Sequence, residues 1–132
     1  EKEAIVVVHV AVAVIINQDD EFLITRRSSD QHQGDKWEFP GGKVENNETS
    51  QEALSREIRE ELGIEIQSAI HITDIIHEYV DDNKKVLLDF FEVKSWLGEP
   101  KGLEGQPIRW VKRKHLCHFD FPKANDEILA IL

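Results

Sequence analysis

Three glutamates in this sequence have the type and spacing to do chemistry. Glu57, Glu60 and Glu61 stand at i, i+3 and i+4 in the stretch Arg56-Glu57-Ile58-Arg59-Glu60-Glu61-Leu62. At about 100° per residue they share one side of a helix. That side borders an apolar stripe of Leu54, Ile58 and Leu62. Like charges at these spacings repel and cost helix stability. Hard oxygen donors converging on one point are what Mg²⁺ or Mn²⁺ requires, so a cation would turn the repulsion into a site. The local cations, Arg56 and Arg59, are expected to project to the other side. A Glu-rich helix is more often a solvated charged face, and the helix alone does not decide the matter.

The segment in front of the helix changes the odds. Gly42 is followed by five residues, Glu48, seven residues, and then Arg56 through Gly63-Ile64. The spacing predicts a helix over Thr49 to Leu62, opened by a capping box of Thr49 and Glu52 and stopped by Gly63. Pro40-Gly41-Gly42 predicts a tight turn whose glycines let the backbone approach something closely. At every defined position this run resembles the signature of the Nudix hydrolases, G-x5-E-x7-R-E-U-x-E-E-x-G-U, with U a bulky aliphatic residue. The resemblance implies an α/β (α+β) Nudix fold, a mixed sheet sandwiched between helices, with the signature as a loop–helix–loop. It also implies Mg²⁺-assisted hydrolysis of a nucleoside diphosphate linked to another moiety, with Mn²⁺ able to substitute. Glu57, Glu60 and Glu61 match the family's metal-binding carboxylates, and the Gly41 carbonyl matches a backbone ligand. Arg56 would orient or screen the glutamates, and Glu48 would brace the loop.

Further stretches resemble one branch of the family, the 8-oxo-dGTP diphosphatases. They are Ile24-Thr25-Arg26-Arg27, Trp37 to Lys43, Gly98-Glu99-Pro100, Glu104 to Pro107 and Asp120 to Asn125. Residues 65–97 match poorly. The similarity implies cleavage of 8-oxo-dGTP to 8-oxo-dGMP and pyrophosphate, which clears a mutagenic nucleotide before replication uses it. It makes Glu104 a fourth carboxylate near the metal and a candidate general base, with Glu57 as the rival. Arg27 would contact the nucleotide near its phosphate, Phe39 would lie along the base site, and Asn125 would read the oxidised base. Lys84 falls near a base-reading backbone position in a shifted register. By pattern alone, Glu104 is a loop acid, Arg27 a surface arginine, Phe39 a core residue and Asn125 a helix cap. Two other functions compete. One keeps the chemistry but takes a canonical dNTP, ADP-ribose or a dinucleoside polyphosphate. The other is a nucleotide sensor without turnover, against which the three intact glutamates speak.

The rest of the chain must position these groups. Its 132 residues suit one domain over 1–132, and 40% hydrophobic with 32% charged residues suits a globular protein. A net charge of −10 repels nucleic acid polymers and anionic membranes, and a polyphosphate substrate would need cations to mediate. The expected partner is a small nucleoside triphosphate, and the expected state a monomer. Ala4 to Ile16, interrupted only by His9, is too short to span a bilayer and reads as a buried strand. Glu1, Lys2 and Glu3 do not supply a secretory start, and Cys117 has no partner for a disulfide, so the expected location is cytoplasmic. Further strands are expected at Phe22 to Arg27, Ile64 to Ile70, His71 to Tyr79, Lys85 to Val93 and Ile108 to Val111. Ser28 to Lys36 reads as a polar loop and Pro122 to Leu132 as a second helix. His115, Cys117 and His118 make a poor zinc motif, and Asp81-Asp82-Asn83 lacks the glycine and glutamate of a calcium loop.

Overall fold

A computed structural model describes residues 4–30 and 34–132. The first three residues and the middle of the loop expected over Ser28 to Lys36 lie outside the described residues. The first strand explains the architecture. β1 (Val6–Ile15) sends Ala11, Ala13 and Ile15 to one side, against Leu54, Ile58 and Leu62. Val12 and Val14, with Ile16 just beyond the strand, go to the other side, among Phe90, Leu116 and Ile128. A strand buried on both faces reads as an unbroken apolar run instead of an alternation.

Four strands form the main sheet in the order β4-β1-β6-β5, with β4 at Gly41–Lys43, β5 at Glu65–Tyr79 and β6 at Lys84–Leu97. β1 and β6 run parallel, and the other pairs are antiparallel. A second sheet, β3-β2-β7, pairs Trp37–Glu38, Glu21–Arg26 and Ile108–Lys112. The two apolar clusters thus occupy opposite faces of β1. Helix α1 (Ser50–Leu62) covers one, and α2 (Asp126–Ile131) with a 3-10 segment at Arg113–His118 covers the other. This is the expected mixed α/β sandwich.

α1 begins and ends where the sequence indicates. Thr49 accepts from the Glu52 backbone at 3.1 Å while Glu52 accepts from the Thr49 backbone at 2.8 Å. Gly63 closes the helix at φ 71°, in the left-handed region where a Cβ is costly. Ala53, Leu54, Ile58 and Leu62 are fully buried. Truncating Leu54 to Ala would cost about 2–5 kcal/mol.

Other elements differ from expectation. Glu65–Tyr79 is one strand where two were expected, and its register shifts at three places. Bulges break the alternation that suggested a gap. Pro40 hands the chain from β3 in one sheet to β4 in the other instead of closing a tight turn. The expected C-terminal helix is shorter: Lys123–Asn125 is a 3-10 turn, and α-helical bonding starts at Asp126. The 3-10 segment at Arg113–His118 was not anticipated.

Candidate active site

Two glycines bring the loop onto the helix. A Cβ at Gly41 would collide with the backbone of Ala11, and one at Gly42 would overlap the carboxyl group of Glu57. The close backbone approach expected of these glycines is therefore made to β1 and to Glu57 itself. Arg56 does not project away from the glutamates, contrary to the expectation from the helix wheel. Its Nε and Nη2 donate to Glu48 at 2.8 and 3.0 Å, and its Nη1 to Glu57 at 2.8 Å. The same Nη1 lies 3.6 Å from Glu60. A long side chain can bend back along the helix surface, and an angular projection does not capture that. Glu48 also accepts from the Glu45 backbone at 3.0 Å. The Arg56 guanidinium and that backbone bond hold its carboxyl down to about 2. Glu48 is thus committed to bracing the loop against Arg56.

Glu61 is the opposite case. Its Oε2 is the one buried side-chain oxygen or nitrogen with no partner among the described residues. Burial, then the neighbouring charges of Glu57, Glu38 and Glu104, push its carboxyl up to about 9, against one backbone hydrogen bond from Gly41. An orphaned buried carboxylate oxygen is expensive unless something else satisfies it. The acids whose charges bear on Glu61 offer hard oxygen donors, the type a divalent cation takes.

The loop between β6 and β7 delivers Glu104 to this place by capping α1. Leu103 N–H and the Gln106 side-chain amide both donate to the Glu61 carbonyl at 3.0 Å, and Lys101 N–H donates to the Leu62 carbonyl at 3.0 Å. Gln106 then turns its Oε1 to the Glu104 N–H at 2.9 Å. The helix's unpaired C-terminal carbonyls therefore fix the loop that carries the fourth acid.

A cleft of about 370 Å³ is lined by Gly41, Glu57, Glu61 and Glu104 together with Arg27, Phe39 and Asn125. Seven of the eight site residues expected from sequence line it. Glu60 does not; it lies beside the group, half-exposed and near Arg56. Val8, Val10, Val86, Leu88 and Pro122 give the same cleft an apolar wall. Phe39 is both core and cleft wall, with its ring 5.4 Å from that of Phe121. Asn125 precedes α2 but makes no side-chain capping bond. Among the described residues its side chain makes one long contact, Nδ2 to the Pro122 carbonyl at 3.4 Å, and the residue is 9% exposed. The carboxamide is thus a buried polar group in the cleft wall.

Sequence reasoning missed Glu38, which lines the cleft and receives Arg27 Nη1 at 2.7 Å. Burial, outweighing the Arg27 charge and hydrogen bond, raises its carboxyl above the usual range. Gln106 and Tyr79 were missed as well. Glu38 and Gln106 lay inside stretches already singled out, but nothing in their types showed that they would touch Arg27 and Glu104. Tyr79 lies in the segment where the resemblance fails. The decoy residues keep ordinary roles: Cys117 is exposed, and the His115 and His118 rings stack at 5.5 Å.

Known proteins resemble the chain over nearly its whole length. The 8-oxo-dGTP diphosphatase of Escherichia coli (strain K12) is 42% identical over 123 residues, 93% of this chain and 94% of that protein. The 8-oxo-dGTP diphosphatase of Haemophilus influenzae is 37% identical over 93% of this chain and 89% of its own length. The CTP pyrophosphohydrolase of E. coli is 31% identical over 89% and 86%. A structure from work on MutT of Aliivibrio salmonicida and Vibrio cholerae superposes with a TM-score of 0.84 at 35% identity, covering 95% of both chains. The NUDIX domain pattern matches residues 11–130, which include the glycines, the helix, the capping loop and Asn125. With a fold and a relative matched over nearly its full length, the chain belongs to the NUDIX family.

Proposed function

We propose that the protein hydrolyses 8-oxo-dGTP to 8-oxo-dGMP and pyrophosphate with Mg²⁺, clearing the oxidised nucleotide before DNA replication can incorporate it. The observation that carries this reading is one cleft lined both by acids, one of them with an orphaned oxygen, and by a buried uncapped carboxamide. The names of the two diphosphatase relatives support it. Glu57, Glu60, Glu61, Glu104 and the Gly41 carbonyl would hold the metal. Mg²⁺, or Mn²⁺ in its place, supplies neutralisation of phosphate charge and a more acidic water when bound. Glu57 or Glu104 takes the proton from the attacking water, and both line the cleft. Arg27, oriented by Glu38, faces the phosphate side, since it also lines a second cleft that shares Glu38, Glu61 and Glu104. Phe39 and the valines exclude water around the base, and Asn125 reads its edge. We place the enzyme in the cytoplasm as a single-domain monomer; among the described residues no helix is long and apolar enough to cross a membrane.

Similarity to a CTP pyrophosphohydrolase supports a second reading, the same chemistry on a pyrimidine triphosphate. Comparing kcat/KM for 8-oxo-dGTP, dGTP and CTP separates the two. A preference for CTP would replace the first reading with the second, and no pyrophosphate from any nucleotide with Mg²⁺ present would overturn both.

A further inference from the structure

A second polar cluster lies on the sheet face at the start of α1, and none of its members lines either cleft. It contains His9, the residue that interrupts the apolar run of β1. Asp89 of β6 is its hub, with a side chain only 14% exposed. His71 Nε2 lies 2.6 Å from Asp74 Oδ1 and 2.9 Å from Asp89 Oδ1. On the other side, Asp89 Oδ2 accepts from Ser50 Oγ at 2.6 Å and meets His9 Nε2 at 2.9 Å.

The backbone makes this convergence possible. His71 and Asp74 are three residues apart, and in a regular strand they would point to opposite faces. The register shift between His71 and Thr73 inserts a bulge, which re-aims one side chain and puts both on the face of Asp89.

We propose that His71, Asp74 and Asp89 form a second metal site, for a divalent ion of the zinc class and separate from the catalytic glutamates. One nitrogen and two carboxylate oxygens are each atom types that zinc takes, and these three lie within 4.8 Å of one another. Donors around a tetrahedral ion stand about 3–3.5 Å apart, so the two nitrogen–oxygen pairs, at 2.6 and 2.9 Å, would need to open by less than about 1 Å. Side chains that are roughly half-exposed, as His71 and Asp74 are, can make that adjustment and leave a fourth position for water. The imidazole separates this site from the all-oxygen one, because nitrogen donors favour zinc over Mg²⁺. Asp89 has the hydrogen-bonded outer shell that fixes a ligating carboxylate, supplied here by His9 and Ser50. Ser50 opens α1, so an ion held by Asp89 would sit at the base of the catalytic helix.

Equilibrium dialysis of the full chain against Zn²⁺, with Mg²⁺ saturating, tests the assignment. The expected result is one Zn²⁺ per chain, retained in Glu57→Gln and Glu61→Gln. Affinity should fall at least about tenfold in both His71→Ala and Asp74→Asn, and by about 10- to 100-fold in His9→Ala. The His71 ring nitrogens should also shift on Zn²⁺ addition in an NMR spectrum. His71 and Asp74 are surface positions, and unchanged melting without zinc would show that their variants fold. Binding that survives both substitutions, or that disappears only in the glutamate variants, overturns the proposal. So does the absence of saturable binding, which would leave an imidazole–carboxylate ion pair only.

Discussion

The acids of the signature segment and the carboxamide of Asn125 spend polar groups in different ways. Glu48, before the start of α1, and Glu61, in its last turn, have opposite environments. Glu48 has Arg56 and a backbone N–H, and its carboxyl is held down to about 2. Glu61 has an oxygen with no partner and is pushed up to about 9. Asn125, by contrast, is buried with a single long side-chain contact among the described residues, though a cap would be its ordinary use. A satisfied acid holds the structure, whereas an unsatisfied one implies a ligand not made of protein. On the proposed function, the acids would be satisfied by charge and the carboxamide by a hydrogen-bond pattern. Each should therefore fail in its own way.

The largest effect should come from removing charge among the cleft's acids. Glu57→Gln and Glu61→Gln should each lower kcat by roughly 10²-fold or more with the fold intact, as measured by pyrophosphate release and circular dichroism. Glu60→Gln sharpens the comparison. The signature expects a similar loss, but Glu60 is half-exposed and outside the cleft lining, so its loss should be the smallest of the three. Near-normal turnover in Glu61→Gln would remove the orphaned oxygen from the site. Glu104→Gln against Glu57→Gln, compared by pH–rate profile, separates the general base from a ligand. The profile of the base variant should lose its acidic limb.

At the carboxamide, Asn125→Ala should collapse the preference for 8-oxo-dGTP over dGTP while residual kcat survives. Guanine presents O6 and N7 as acceptors, and oxidation at C8 turns N7 into a donor. One carboxamide can donate to O6 and accept from N7–H together. Against guanine the same carbonyl faces a lone pair, and a buried acceptor goes unpaired. Sites built on such a match discriminate by up to about 10⁴. Because Asn125 makes no capping bond, the substitution should cost little of the roughly 1 kcal/mol that a lost cap would. An unchanged preference ratio would move base reading elsewhere in the cleft, with Tyr79 and Lys84 the next residues to vary.

How much of this was legible in the sequence depended on how local each cause was. α1 was readable to the residue, because Thr49, Glu52 and Gly63 act within one turn of the helix ends. β1 was readable from its apolar run. β5 was not, since bulges at Ile66/Ser68, Ser68/Ile70 and His71/Thr73 arise from pairing with a strand some twenty residues away. The glutamates and Asn125 could be named from motif resemblance, but the resemblance could not show that Glu61 alone would be orphaned. That follows from Glu38 and Glu104 arriving on other elements. Arg56 was misplaced because a wheel projects Cβ directions and not the reach of a guanidinium. Glu38 and Gln106 had no signal of their own, since their roles are contacts made across the fold.

The smallest effect, and the most direct test of the contrast between Glu48 and Glu61, is on stability. Glu61 has a folded pKa of about 9 against an ordinary 4.5. Between those values the folded state binds more of this proton than the unfolded state does. Stability without metal is therefore fullest below about pH 4.5 and is lost as pH rises towards 9. Glu61→Gln removes the titrating group while keeping its size and polarity. Without Mg²⁺, the variant should melt above the parent at pH 8 and nearly with it at pH 5. A gain on the order of 1–2 kcal/mol corresponds to roughly 3–10 °C for a chain of this length. Mg²⁺ stabilises only a state that binds it, so its addition should raise the parent and close the gap. Glu48→Gln should go the other way and lower the melting temperature at neutral pH, because it breaks a satisfied pair with Arg56. If both variants lose stability at pH 8, Glu61 is a bracing acid like Glu48, and its unsatisfied oxygen is not where the cation sits.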